Sequence, residues 1–165
     1  MLDTIDSNQT WEQLKLETVN IKLDLGIITH DNVVEHPYVN ISLNGVPQFG
    51  EICKQDTLVD IDVEIEDNTE NFLTIEYHNK NAKQDIVLSQ EGIPIADKRI
   101  EIKSISFDDI ELDFFSISDP DTLIYQPIDP VGDVAHGFEA TKLTWNGKTT
   151  LKFSTPIYIW LLENL

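Results

Sequence analysis

VDIDVEIE, residues 59–66, is the clearest strand signal in the chain. Every second residue of this segment is apolar and β-branched. The residues between them are all acidic, so the two sides of the segment differ completely in polarity. Because the side chains of a β-strand point alternately to the two faces of a sheet, this period predicts a strand with one buried face. β-Branched residues favour the same conformation, since they pack well on a pleated surface.

The same alternation recurs elsewhere in the chain and predicts further strands. Apolar residues alternate with polar ones at residues 19–25, 39–43 and 73–77. We expect Gly26 to end the first of these strands. A polar, turn-forming segment separates residues 59–66 from residues 73–77, so these two strands are expected to form a hairpin.

Two Asn-Gly dipeptides predict tight turns, because both residue types tolerate a positive φ. Asn44-Gly45 follows the strand at residues 39–43, and Asn146-Gly147 is expected to join Thr144-Trp145 to a strand that contains Leu151. Both turns therefore indicate antiparallel pairing of neighbouring strands.

The apolar residues change phase between Ile102 and Ile105. An unbroken pleat would send these two side chains to opposite faces of a sheet. An extra residue in the strand restores the phase, so the sequence predicts a β-bulge near Ser104.

Residues 157–162, IYIWLL, are apolar at consecutive positions. This pattern predicts a strand that is covered on both faces. The strand either completes the core or docks on another subunit, and in the second case Ile157, Ile159, Trp160 and Leu162 would form the interface. The pattern itself does not choose between these alternatives.

Short strands, hairpin turns and the lack of a convincing helical period together predict an all-β fold, an antiparallel β-sandwich with jelly-roll character. The 165 residues suit one domain. We assign residues 1–17 to an N-terminal tail and residues 18–165 to the sandwich. Residues 116–140 contain three prolines and two glycines, and we expect them to form a long loop excursion over the surface.

The composition excludes several classes of function. Thirty acidic residues against eleven lysines and arginines give a net charge of −19, which repels nucleic acids. The single cysteine, Cys53, excludes an intrachain disulfide and a cysteine-based zinc site. Residues 1–7 lack the features of a signal peptide, and the chain has no apolar run long enough to span a membrane, so we expect synthesis in the cytoplasm and no membrane partner.

The loop after residue 78 carries oxygen donors of the kind that calcium prefers. These are Asn79, Asn81, Asp85 and Asp97, at a spacing that a folded loop can gather. The alternative is a polar loop whose aspartates are solvated. The spacing is not that of an EF-hand.

Three aromatic residues lie at or near predicted loops and are candidates for stacking on a sugar: Tyr77, Tyr125 and Trp145. Core packing is the alternative for each. The four histidines are scattered, and neither a helical histidine pair nor a nucleophile elbow is present. We therefore expect a protein that is not an enzyme.

Part of this region resembles the calcium-dependent xylan-binding family of carbohydrate-binding modules. The residues that carry the resemblance are IEYHN at 75–79, DKRIEI at 97–102 and ISFDD at 105–109. In that family a calcium ion bridges protein carboxylates and sugar hydroxyls. The resemblance implies a calcium cofactor held by Asn79, Asp85 and Asp97.

The acid-rich loop, the Trp-Asn-Gly turn at residues 145–147 and the apolar segment 157–162 also look like small β-sandwich proteins in the virions of tailed bacteriophages. This likeness implies a structural protein, such as a capsid decoration or tail accessory protein, that is assembled in the host cytoplasm. Its partners would be other virion proteins, further copies of the chain or a host-surface glycan. The expected function is this virion role, the alternative is a calcium-dependent glycan-binding module, and a glycoside hydrolase is third.

Overall fold

The computed structural model describes residues 15–128 and 133–165. The strands of the described residues are β1 (Leu16–Ile28), β2 (Tyr38–Leu43), β3 (Val46–Ile52), β4 (Thr57–Glu66), β5 (Glu70–Tyr77), β6 (Val87–Leu88), β7 (Pro94–Ala96), β8 (Arg99–Phe107), β9 (Ile110–Glu111), β10 (Leu123–Pro127), β11 (Ala135–His136), β12 (Lys142–Leu143) and β13 (Gly147–Ser154). The α-helices are α1 (Ala82–Asp85) and α2 (Ile157–Asn164), and short 3-10 helices occur at Phe114–Ser116, Pro120–Thr122 and Gly137–Thr141.

The strands form antiparallel sheets, as the sequence predicted. Sheet A has the strand order β12–β8–β1–β4, with β9 also beside β8. Sheet B has the order β11–β10–β13–β5–β2–β3, and β6 and β7 form a separate two-stranded ribbon. The all-β character of the prediction is therefore confirmed.

The segment with the clearest strand signal, residues 59–66, lies within β4 and is a strand with one buried face. Val59, Val63 and Ile65 are buried, whereas the four acidic residues between and after them are exposed. The strand pairs with β1 so that Val63 lies opposite Val19. Each fully buried aliphatic side chain of this kind contributes about 1.5–3 kcal/mol to folding.

Buried residues of both sheets belong to one hydrophobic cluster. Phe107 of β8 in sheet A and Phe153 of β13 in sheet B contact each other, with ring centroids 5.0 Å apart. Trp160 of α2 packs edge-on against both rings, at 5.7 Å and 6.0 Å. The C-terminal helix is thus anchored where the two sheets meet.

Two local predictions are confirmed. Asn44 and Gly45 have φ values of 50° and 81° and turn the chain from β2 into β3. In the pairing of β1 with β8, Asp24 lies opposite Ser104 and Leu25 opposite Ile102, so Lys103 is the extra residue of a β-bulge.

The predicted end of the first strand at Gly26 is wrong. β1 continues to Ile28, and Gly26 pairs with Glu101 of β8. A side chain at Gly26 would meet Lys103, because a Cβ atom there would lie 2.8 Å from the Cε atom of the lysine. Glycine is used here to admit a neighbouring side chain and not to end the strand. β1 also begins at Leu16, two residues before the predicted domain start, and residues 1–14 of the predicted tail lie outside the described residues.

The two hairpins that we expected, between residues 59–66 and 73–77 and at Asn146-Gly147, are also wrong. β4 pairs with β1 in sheet A, whereas β5 pairs with β2 and β13 in sheet B. Similarly, β12 pairs with β8, and the Asn146-Gly147 turn leads into β13 of the other sheet. Both turns connect strands of different sheets, and hydrogen bonds from Thr155 Oγ1 to Glu66 O (2.8 Å) and from Thr69 N to Thr155 Oγ1 (3.1 Å) hold the first of them.

The C-terminal segment is a helix and not the predicted strand. Ile157, Trp160 and Leu161 of α2 are buried, and their spacing of three and four residues is that of one helix face. A run of consecutive apolar residues fits a buried strand and a helix equally well, which explains the error. Of the predicted interface residues, Ile157 and Trp160 belong to the core, and Ile159 and Leu162 are exposed.

Residues 116–140 are not simply a loop excursion. β10 lies in this segment, pairs with β13 and buries Leu123 and Tyr125. Pro120 begins a 3-10 helix before the strand and Pro127 is its last residue, so these prolines bracket the strand without interrupting it. Residues 129–132 of the segment lie outside the described residues.

Candidate functional site

The predicted calcium loop lies between β5 and β8 and contains α1 and the β6–β7 ribbon. Asn81 caps α1, because its side chain accepts a hydrogen bond from Lys83 N at 3.1 Å. Asp85 Oδ2 in turn accepts a hydrogen bond from Asn81 N at 2.6 Å. These two bonds fix the position of the Asp85 carboxylate in the first half of the loop.

Lys80 lies inside this loop, with its ammonium group buried. The Nζ atom donates hydrogen bonds to Asp97 Oδ1, to Lys98 O at 2.7 Å and to Thr144 O at 2.7 Å. An ammonium has three donors, so all of them are used. Burial lowers the pKa of Lys80, and the hydrogen bond with Asp97 opposes this shift.

Lys98 is the second buried lysine, and its side chain is only 1% exposed. The Nζ atom donates to Glu35 O at 2.8 Å and to Asn79 O at 2.7 Å, and it lies 3.2 Å from Asp85 Oδ2. Its three donors are therefore used as well. We call Lys80, Asp85, Asp97 and Lys98 the lysine–aspartate network.

The structure brings the predicted calcium ligands to one part of the molecule. Their polar atoms, however, already form ion pairs or hydrogen bonds with other groups of the protein. Asp85 and Asp97 each pair with a lysine ammonium. Asn79 Oδ1 accepts a hydrogen bond from Tyr38 N, and Asn79 Nδ2 donates to His36 O, both at 2.9 Å. The ammonium groups supply the positive charge that a calcium ion would bring.

Residues 15–128 and 133–165 contain no group of three or more histidine, cysteine, aspartate or glutamate side chains that could hold a metal ion. Calcium binding at Asn79, Asp85 and Asp97 stays a prediction, which a titration can test. The lysine partners were missed in the sequence because which carboxylate a lysine meets depends on tertiary structure.

The three aromatic residues predicted to stack on a sugar have different positions. Tyr77 is fully buried, and burial raises its pKa. Tyr125 is also buried, its hydroxyl donates to Trp145 O at 2.8 Å, and burial raises its pKa to about 12. Trp145 is half-buried, and Lys80 Nζ lies 5.6 Å from its ring centroid. Trp145 is therefore the most exposed of the three residues.

Tyr125 and Trp145 border one cavity of about 360 Å³, together with Asp133, Glu139 and Lys142. Tyr77 does not line it. The Nε1 atom of Trp145 is buried without a hydrogen-bond partner in the structure. The structure therefore brings two of the three predicted stacking residues together.

Three of the four histidines have separate partners in different parts of the fold. His30 Nε2 lies 2.6 Å from Asp85 O, next to the lysine–aspartate network. His78 contacts Glu76 on sheet B at 2.6 Å, and His136 contacts Asp121 at 3.1 Å. No two of these three contacts share a residue.

An exposed aromatic pair, Phe115 and Phe138, was not predicted from the sequence. Phe115 and Phe138 stack with ring centroids 4.4 Å apart and an angle of 24° between the rings. Neither residue belongs to an alternating segment of the kind that predicts a strand, so the sequence pattern does not indicate that they contact each other. Their proximity results from packing between two 3-10 helices, which the sequence did not predict.

The outer side of α2 carries a second exposed apolar group. Tyr158, Ile159 and Leu162 are 54%, 56% and 78% exposed, respectively. Tyr158 is held at the surface because its hydroxyl donates to Asp108 Oδ2 at 3.2 Å, and this hydrogen bond raises the pKa of the tyrosine. We call Tyr158, Ile159 and Leu162 the α2 surface.

Comparison with protein-family models, with characterised proteins and with solved structures gave no match to the chain. Among the described residues, the helices are too short or too polar to cross a membrane.

Proposed function

We propose that the chain is a non-enzymatic structural protein of a tailed-bacteriophage virion that binds neighbouring virion proteins through the α2 surface. The observation that carries the proposal is the exposure of Ile159 and Leu162 on a helix whose opposite side is fixed in the core. Contiguous exposed apolar side chains on a folded domain mark interaction sites. The virion setting rests on the resemblance of the sequence to phage β-sandwich proteins.

The anchoring of α2 supports this role. Ile157 N donates to Glu17 Oε1 at 3.1 Å, which links the helix to β1, and Trp160 packs against two phenylalanines of the core. A partner that binds the α2 surface would meet side chains that are already held in place. Preorganisation of this kind reduces the entropy lost on binding.

The proposal includes a β-sandwich of jelly-roll character as the scaffold. The shared hydrophobic cluster and the contact between Phe107 and Phe153 support face-to-face packing of sheets A and B. The chain also passes from one sheet to the other between β1 and β2, β3 and β4, β4 and β5, and β12 and β13. Repeated crossing between two sheets is typical of jelly rolls.

A non-enzymatic role fits the state of the buried charges. Lys80 and Lys98 are the most buried ionisable bases of the described residues, and their donors are all bound to protein acceptors. A general base or nucleophile needs a reacting atom that a substrate can approach. The network instead links the loop to Thr144 through Lys80 and to Glu35 through Lys98, which fits a structural role.

The second candidate is a calcium-dependent glycan-binding module. The observation in its favour is that Asn79, Asp85 and Asp97 lie in one part of the structure, as the resemblance to xylan-binding modules implies. Calcium would have to displace the lysine ammoniums from Asp85 and Asp97. This function would therefore require a rearrangement of the loop that assembly through α2 does not require.

Mass spectrometry of virions purified from the phage that encodes the chain tests the main proposal. We expect the chain in the particles, and Leu162→Asp and Ile159→Asp to abolish its incorporation while the variants stay folded. Leu88→Asp is the control, because Leu88 is 56% exposed and lies on the β6–β7 ribbon. Absence of the chain from virions, or equal loss with the control variant, would contradict the proposal.

A further inference from the structure

A cavity of about 380 Å³ lies at the edge of sheet A, at the outer edge of β8. β1 pairs with the inner edge of β8 across the β-bulge. On the outer edge, β9 pairs at Ser106 and β12 pairs at Glu101, and no strand of the described residues pairs with the stretch between them. Bulges commonly redirect a side chain next to a binding site. The cavity is lined by Lys103, Glu111, Leu112, Asp113, Phe114, Phe115 and Phe138.

The two stacked phenylalanines form the apolar wall of this cavity. Phe115 is 78% exposed and Phe138 is 39% exposed, so Phe115 offers the more open ring. Lys142 Nζ lies 5.5 Å from the centroid of the Phe138 ring, which covers that residue further. A ligand that enters the cavity would therefore contact Phe115 first.

Hydrogen bonds fix the backbone beneath both rings. Asp113 Oδ1 accepts from Phe115 N at 2.9 Å, and Asp113 Oδ2 accepts from Ser116 Oγ at 2.8 Å. Thr141 Oγ1 donates to Phe138 O at 2.6 Å. The platform is thus held in place although Phe115 is mainly exposed to solvent. A preorganised aromatic surface loses little entropy when it binds.

The size and polarity of the cavity determine what it can hold. A stable protein–protein interface buries about 1,200–2,000 Å² of surface, which is far more than two rings offer. The charged residues Lys103, Glu111 and Asp113 line the same cavity as the two rings. A ligand with one apolar face and a polar rim matches this arrangement, and a cavity of a few hundred Å³ is within the range of small-ligand sites.

We propose that Phe115 and Phe138 form a stacking platform for one pyranose ring of a glycan, with Glu111 positioned to accept hydrogen bonds from its hydroxyls. The apolar C–H face of the sugar would lie on Phe115. This site uses none of the residues predicted to hold calcium and none of the α2 surface, so it goes beyond the proposed function and does not depend on it. It would give the chain a contact to a cell-surface glycan.

NMR titration of the full chain tests the site. The probes are the methyl glycosides of glucose, galactose, mannose, N-acetylglucosamine, xylose and rhamnose, each added with excess chelator so that calcium plays no part. We expect at least one sugar to shift the ring signals of Phe115 and Phe138 and the amide signal of Glu111. The signals of Asp97 and Leu162 should stay unchanged.

Variants at Phe115 separate stacking from general apolar contact. Phe115→Ala should weaken binding about tenfold, and Phe115→Leu should weaken it nearly as much because leucine has no ring to stack. Phe115→Trp should retain or strengthen binding. Phe72→Ala is the matched control, since Phe72 is 42% exposed on β5 in sheet B, and it should bind as the unchanged chain does.

Three results would overturn the proposal. One is that no sugar of the panel shifts the signals of Phe115 or Phe138. Another is that Phe115→Leu binds as well as the unchanged chain, which would indicate an apolar docking site without stacking. The third concerns a repeat of the titration with calcium in place of the chelator: sugar shifts that appear only there, and only at Asn79 and Asp97, would instead support the glycan module proposed as the second candidate.

Discussion

The lysine–aspartate network and the α2 surface differ in whether the fold supplies partners for their side chains. In the network, both buried ammonium groups have three acceptors each within the protein. On the α2 surface, Ile159 and Leu162 are mainly exposed to solvent. Residues with the chemistry of a binding site can thus be fully used within the fold, whereas exposed apolar residues remain available to bind.

The largest effect is expected when one member of the network is removed. Lys98→Met leaves the Asp85 carboxylate buried beside a neutral side chain, and such a change costs about 3–5 kcal/mol in the free energy of unfolding. Equilibrium denaturation in urea measures the loss. A change below about 1 kcal/mol would show that solvent reaches Asp85 and that the network is not closed.

Lys103→Met is the control for this experiment. Lys103 also forms an ion pair, with Asp56 at 2.6 Å, but both side chains are about half exposed. Exposed ion pairs contribute little to the free energy of unfolding, because water solvates both charges. We expect the midpoint of denaturation of this variant to match that of the unchanged chain.

Two neighbouring leucines of α2 test which side of this helix is buried and which side is exposed. Leu161 is 1% exposed and Leu162 is 78% exposed. Leu161→Ala should lower the free energy of unfolding by about 2–5 kcal/mol, because it leaves a cavity in the core. Leu162→Ala should change it by less than about 0.5 kcal/mol. Similar losses for both variants would contradict the orientation of the helix.

Ionisation at high pH distinguishes the buried Tyr125 from the exposed Tyr158 of the α2 surface. The pKa of Tyr125 is about 12 in the fold because the hydroxyl is buried, and an unfolded tyrosine ionises near pH 10. The protonated hydroxyl therefore stabilises the fold fully below pH 10, and this contribution is lost as the pH rises from 10 through 12. Phenolate absorbance from Tyr125 should appear together with unfolding.

Tyr158 on the α2 surface should behave differently. Its pKa is raised chiefly by the hydrogen bond to Asp108, and burial has a smaller effect. Asp108→Asn should lower the pKa of Tyr158 towards its ordinary value and leave Tyr125 unchanged. If the substitution does not move the titration of Tyr158, the hydrogen bond at 3.2 Å does not form in solution.

The sequence predicted the strands well because a half-buried strand leaves a local signal. The alternation at Val59, Val63 and Ile65 directly records which face is buried. The partner of a strand leaves no such signal, so β4 and β5 looked like a hairpin although they belong to different sheets. The helix α2 was missed because an unbroken apolar run has no period that separates helix from strand.

The candidate site was predicted in part. Tyr77 shares the parity of the buried residues Leu73 and Ile75, so the alternation already indicated that its ring lies in the core. The acids of the loop were recognised as oxygen donors, but Lys80 and Lys98 were not recognised as their partners. Ion pairs between residues 13 and 17 positions apart depend on how the loop folds, and no local pattern encodes them.

Thermal unfolding with calcium and with excess chelator tests most directly whether the lysine–aspartate network is closed. Ligands that bind the folded state raise its stability by mass action. Because lysine ammoniums already pair with Asp85 and Asp97, the account predicts the same unfolding temperature under both conditions. A rise of several degrees with calcium that disappears in Asp97→Ala would contradict the account and establish calcium binding at the loop.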